Sequence, residues 1–132
     1  MSAKYEKFHL KINPLHIHHI LSGALLLVSD SQSMSVEAAI LGVPSIRFSS
    51  FTGRISVLEE LEYKYNLTFG ISPSNSMGLI EKVLDILNTE NLKQIFSNRR
   101  DTMLREKINV AKFISWFILE YPRSISTSYK VK

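Results

Sequence analysis

The chain has 132 residues, 45% of them apolar and 21% charged, with a formal charge of +4. That length suits one domain with a real core, and the globular composition excludes a disordered chain. The absence of cysteine excludes disulfides and thiolate metal sites. The longest apolar run, Ala24 to Val28, is too short to cross a bilayer. The opening "MSAKYEKFHLKI" is charged and lacks the apolar segment of a signal peptide. The protein therefore reads as soluble and cytoplasmic, with no membrane span. The charge is mild, and its densest basic run, "NRRDTMLREK", is interleaved with acidic and polar residues. That pattern fits a solvated helix face better than a nucleic-acid surface.

In chain order, "KFHLKI" (7–12) alternates apolar and polar residues and predicts a short strand. Asn13-Pro14 ends it and opens a helix whose apolar side holds Leu15, Ile17, Ile20 and Leu21, stopped by Gly23. "ALLLVS" (24–29) is a continuous apolar run, which predicts a central parallel strand covered on both faces. A polar loop over 30–33 follows. Val36, Ala39 and Ile40 then recur at helical spacing until Gly42-Val43-Pro44, and "PSIRF" (44–48) predicts the next strand. This is a compact strand–loop–helix–strand unit.

Beyond a hydroxyl-rich loop (49–54), Val57, Leu58, Leu61 and Tyr65 form a helical ridge, with Glu59, Glu60 and Glu62 on the outside. "LTFGI" predicts another strand. A long helix carries Met77, Ile80, Val83, Leu84 and Leu87 on its apolar side. Helix resumes through Leu92, Ile95 and Phe96, and a last helix is expected over about 103–120, ending at Tyr121-Pro122. The whole predicts an α/β fold: a Rossmann-like three-layer sandwich around a mostly parallel sheet over 1–122, with an exposed tail over 123–132.

In such sheets ligands bind beyond the carboxyl ends of the strands. The stretch "VSDSQSMSVEAAILGVPSI" (28–46) puts small hydroxyl residues at that position, just before a helix. Helix N-terminal amides and the positive dipole end bind phosphate. Ser31, Ser33 and Ser35 can add hydroxyl donors, and Glu37 can accept hydrogen bonds from a sugar diol. The competing reading is a plain cap, with Asp30 or Ser33 as N-cap.

"DSQSMSVEAAILGVP" resembles the diphosphate–ribose segment of UDP-N-acetylglucosamine 2-epimerases and related GT-B glycosyltransferases, which typically read Asp-Ser-Gly-Gly-x-x-x-Glu-Glu/Ala-x-x-Leu-Gly-x-Pro. Asp30, Ser31, Glu37, Ala38, Leu41, Gly42 and Pro44 fall in step. Residues 8–122 resemble the C-terminal part of a prokaryotic family of unknown function grouped with that superfamily. The resemblance implies the C-terminal half of a GT-B fold. It implies a UDP-type nucleotide sugar or nucleoside diphosphate as ligand, with no other cofactor. Catalysis then needs an N-terminal domain this chain lacks, so the chain alone is expected to be inactive. It assigns Ser31, Gln32, Ser33 and Met34 to the pyrophosphate and Glu37 to the ribose. Gln32 and Ser33 stand where the epimerases carry two glycines, which alters the loop. The alternative is a non-catalytic binding or interaction module that keeps the fold.

Other residues invite roles of their own. His16 and His19 share a helix face, but no third ligand accompanies them, so no metal site is expected; His19 can reach a ligand base or sugar. Arg47 and Arg54 flank the loop after the third expected strand, where an arginine meets a phosphate or a carboxylate; Arg54, after Gly53, is the accessible one. "WFILEY" (116–121) is apolar nearly all round, fitting either core or a docking surface. Phe113, Trp116 and Phe117 are expected to hold a weak homodimer.

Overall fold

A computed structural model describes residues 3–51 and 53–128. It is an α/β arrangement around a three-stranded parallel sheet in the order β1-β2-β3, with β1 Leu27–Ser29, β2 Ser45–Phe48 and β3 Thr68–Ile71. Leu27 pairs with Ser45, which pairs with Thr68. The helices are α1 Ile17–Gly23, α2 Gln32–Leu41, α3 Ser56–Glu59, α4 Ser76–Leu87, α5 Leu92–Glu106, α6 Val110–Leu119 and α7 Arg123–Ser128. This is compatible with a Rossmann-like sheet. No described helix is long and apolar enough to cross a membrane.

The β1–α2–β2 unit is closed by local bonds. Gly42 adopts φ +73°, and the amides of Gly42 and Val43 return to the last turn of α2. That closing loop needs a glycine, because a side chain in the left-handed region strains the backbone. Ser35, Ala38 and Ala39 are buried on α2, which packs against β1 and β2. The main core joins Ala39, Ile46, Leu58, Leu61, Leu67, Ile86 and Phe96, with Leu21, Ala38 and Val43 as a satellite.

Several expectations are corrected. Residues 7–12 form no strand: Ala3–Phe8 is a 3-10 helix, followed by irregular chain. Phe8 and Leu10 are exposed, so the alternating pattern has no second surface to bury its apolar side. With no strand beyond it among the described residues, β1 is an edge rather than the centre. Leu25 and Val28 are exposed, and β2 holds the central place. Pro14–His16 is a 3-10 turn capped by Asn13, and Leu15 and Ile20 stay exposed while Leu21 is buried. On α4 the apolar arc is wide. The core takes Ile86, with Leu79 and Val83 half-buried, and leaves Met77, Ile80, Leu84 and Leu87 outside.

The ridge after Ser56 also departs from the expected phase. α3 passes into a π turn, Glu60–Lys64, whose wider i→i+5 winding shifts the faces of the helix. Leu58, Leu61 and Tyr65 remain buried, but Glu62 turns inward.

The expected helix over 103–120 is two helices. α5 stops at Glu106, and Asn109 starts α6 by accepting the Lys112 amide at 2.9 Å. At the break, Tyr65 Oη donates to Glu106 at 2.8 Å, Lys64 lies 2.6 Å from Glu106, and Lys107 reaches both oxygens of Glu60 at 2.7 Å. Hydrogen bonding from Lys107 holds the Glu60 carboxyl below its ordinary value, and that from Lys64 does the same for Glu106. The Glu106 carboxylate raises the Lys64 ammonium in turn. The expected exposed tail folds as far as Ser128. The Ser124 hydroxyl is buried and donates to Phe117 O at 2.7 Å, after a cis Tyr121–Pro122 bond. Residues 129–132 of that tail lie outside the described residues.

Candidate functional site

The expected polar loop is shorter than its composition suggests. Only Asp30 and Ser31 separate β1 from α2, so Gln32, Ser33 and Met34 already belong to the first turn. The N-cap is Ser31, not Asp30 or Ser33. Its backbone is extended and its Oγ accepts the Met34 amide at 3.3 Å. Its carbonyl accepts the amide and the hydroxyl of Ser35 at 3.3 and 3.1 Å. Its own amide donates to Ser29 Oγ at 3.0 Å. Short polar side chains suit this position because they bond the backbone on both sides of the helix start.

Two donors are left over. The amides of Gln32 and Ser33 have no hydrogen-bond partner among the described residues. They belong to the first turn, where helix geometry supplies no acceptor, and the positive end of the helix dipole favours an anion there.

The four residues expected to cradle a pyrophosphate thus divide by role. Ser31 and the Met34 amide are committed to the cap. The Met34 side chain packs on the satellite cluster of Leu21, Ala38 and Val43. Gln32 and Ser33 offer free backbone donors. The Gln32 side chain crosses to the loop after β2, where its Nε2 donates to Ser49 Oγ at 3.2 Å and to Asp30 O at 3.4 Å. Its Oε1 is buried without a partner. Ser49 in turn donates its amide to Ile71 O at 3.1 Å, so the carboxyl ends of all three strands are linked.

Glu37 stands farther along α2, half-buried, with Oε2 3.0 Å from His18 Nε2. His18 is the residue that sequence reasoning passed over. The signal was present in "HIHH", but the i, i+3 test selects His16 and His19, whose rings are 6.2 Å apart. His19 is exposed on α1 and forms no hydrogen bond or ion pair with the start of α2 among the described residues. Arg54 is exposed in the loop after β2. Its amide donates to Phe51 O at 3.3 Å, and its guanidinium has no ion-pair partner among the described residues. The structure therefore brings Ser31, Gln32, Ser33, Met34 and Glu37 together, adds His18 and Ser49, and leaves His19 and Arg54 apart.

Arg47 is not open to an outside anion. It is fully buried, Nη2 pairs with Glu62 and lies 3.8 Å from Glu59, and Nε and Nη1 have no partner. Glu62 also accepts the Gly70 amide at 3.0 Å on each oxygen. Two of the three glutamates expected outside are thus inward counter-charges. Among the described residues no group of three or more His, Asp or Glu is placed to hold a metal ion. A separate cleft of about 220 Å³ lies between α4 and α5, with Lys82 over the Phe69 ring and Arg99 over the Phe96 ring. It shares no lining residue with the start of α2.

Compared with models of known families, with characterised proteins and with solved structures, the chain matches none.

Proposed function

We propose that the chain binds a UDP-type nucleotide sugar, or its nucleoside diphosphate, at the start of α2, as the C-terminal half of a GT-B-like epimerase or glycosyltransferase. One observation carries the reading: two uncommitted amides, of Gln32 and Ser33, sit at a helix N-terminus beyond the carboxyl end of a parallel strand, with a carboxylate on the same helix. The amides suit diphosphate oxygens, and Glu37 suits the ribose hydroxyls. In this reading Glu37 exchanges its contact with His18 for the diol, and His18 keeps the carboxylate oriented in the empty state. Bond-making groups come from another domain, so this half supplies binding and not turnover.

A specific observation favours the second reading, a non-catalytic module. The Gln32 side chain fills the ground that a glycine leaves open, and it is tied to Ser49. Calorimetric titration with UDP, GDP and ADP separates the two. Binding that prefers UDP, weakened about tenfold or more by Glu37→Ala as a charged hydrogen bond is lost, supports the ligand site. No heat from the native chain but clear heat from Gln32→Gly supports a site closed by its own side chain. No heat from either supports the module.

A further inference from the structure

We propose that α6 is a self-association surface, occupied by α6 of a second copy running antiparallel to it, with the twofold axis at Trp116. The first observation is area. The chain exposes 9695 Å² for its 15.1 kDa, against about 7,100 Å² for a compact monomer of that mass, an excess of roughly 2,600 Å². That excess is a property of the whole chain, to which the N-terminal segment and the outer side of α4 also contribute, and it exceeds the roughly 800 Å² a stable interface takes from each partner.

The second observation places the surface. α6 buries none of its residues, and its one substantial packing partner is α7. On the side of Trp116, Phe113 and Leu119 are exposed, Leu119 by 82%, while Val110, Ile114 and Ile118 are exposed on the other side of the helix. A helix that is apolar all round is ordinarily enclosed. A shallow apolar hollow of about 320 Å³ opens on it, lined by Asn109, Lys112, Phe113 and Trp116.

The third observation names the occupant. A twofold interface must be self-complementary, because each patch meets its own copy. Lys112, Phe113, Trp116, Leu119 and Glu120 share one side of the helix at its 3.6-residue period. Antiparallel pairing about Trp116 sets Lys112 opposite Glu120 of the second copy, and sets Phe113 opposite its Leu119. The twofold repeats both pairs. Neither Lys112 nor Glu120 has an ion-pair partner among the described residues. The only two charges of this stretch therefore stand where the second copy neutralises them, and Phe113, Trp116 and Leu119 meet between them.

The rival occupant is an anionic bilayer, because residues 107–132 hold five basic side chains and one acidic, while 1–106 hold eleven of each. Sedimentation velocity across a concentration series decides between them. Trp116 is the only tryptophan, so its emission reports the axis directly. The expected result is a monomer–dimer equilibrium with a blue shift in emission as concentration rises. Lys112→Glu and Glu120→Lys should each weaken the dimer about tenfold, since the twofold counts each lost pair twice, and the double reversal should restore it. These are exposed positions, so the variants leave folding intact, and unchanged far-UV dichroism checks this. A monomer at every concentration overturns the proposal. A dimer that the double reversal fails to restore overturns the antiparallel register. A monomer that floats with phosphatidylglycerol vesicles assigns the surface to lipid and overturns the second copy.

Discussion

The α/β body and the α6–α7 arm are both rich in apolar residues and use them in opposite ways. In the body, Ala38, Ala39, Ile46, Leu58 and Phe96 are enclosed, and even an arginine is buried with its counter-charges. In the arm, a helix with a single charged residue, Lys112, lies with its apolar side chains in water. The difference is one of partners. The body helices pack on strands or other helices, although α4 leaves Met77, Ile80, Leu84 and Leu87 outside, whereas the one substantial packing partner of α6 among the described residues is the short α7. The comparison teaches that apolar composition states how much surface must be covered, and not whether this chain covers it.

The sharpest way to break the body is at its buried charge. Glu62→Ala removes the main partner of a fully buried guanidinium, and the expected loss is about 3–5 kcal/mol in urea unfolding. Arg47→Met should cost distinctly less, since it removes the charge that needed compensation and leaves Glu62 its bond to Gly70. Equal losses would show that the pair stabilises as a unit. Gly42→Ala comes next. It forces a side chain into the left-handed region, and its Cβ would lie 3.4 Å from Arg100 Nη1. About 1–2 kcal/mol is expected from thermal unfolding. Ser31→Ala removes the α2 cap and should cost about 1 kcal/mol.

Acid tests the joint between the two regions. Glu60 and Glu106 are held below their ordinary value of 4.5. Their contribution is therefore complete above that value and is lost as the pH falls through the lowered folded values. Lys64, raised above 10.5, contributes below 10.5 and is lost as pH rises past its folded value. Hydrogen exchange should show the last turn of α5 losing protection in acid before the sheet does. Smallest of all, Leu119→Ser should change the monomer's unfolding free energy by no more than about 0.5 kcal/mol, because its side chain contacts little. A loss comparable to a core truncation would show that the arm belongs to the body.

The sequence made the β1–α2–β2 unit legible because its punctuation is local. Ser31 and Gly42 bond to residues two to four positions away, so their meaning does not depend on distant chain. The start of α2 as a candidate site was legible for the same reason. Strand position was not: "ALLLVS" is apolar throughout and would fit a centre or an edge, and what decides is whether 7–12 pairs with it. The inward turn of Glu62 was hidden by the π turn, which breaks the helical period used to read it. The buried Arg47 was hidden because a strand-end arginine looks alike whether its carboxylates come from this chain or from a ligand. The pairing of Glu37 with His18 joins two helices and leaves no trace in spacing.

The Glu62 carboxylate has a consequence for the sheet as a whole. It occupies the outward-facing amide of Gly70 on β3, so that edge is stoppered by a side chain. β1, the opposite edge, pairs with β2 alone among the described residues. Its Leu27 amide donates to Pro44 O, so by alternation the next one, at Val28, points away from the sheet, beside a side chain 46% exposed. The sheet is thus directional, closed on one flank and receptive on the other, and any strand it recruits, from an extended peptide or from an aggregating neighbour, must join beside Val28.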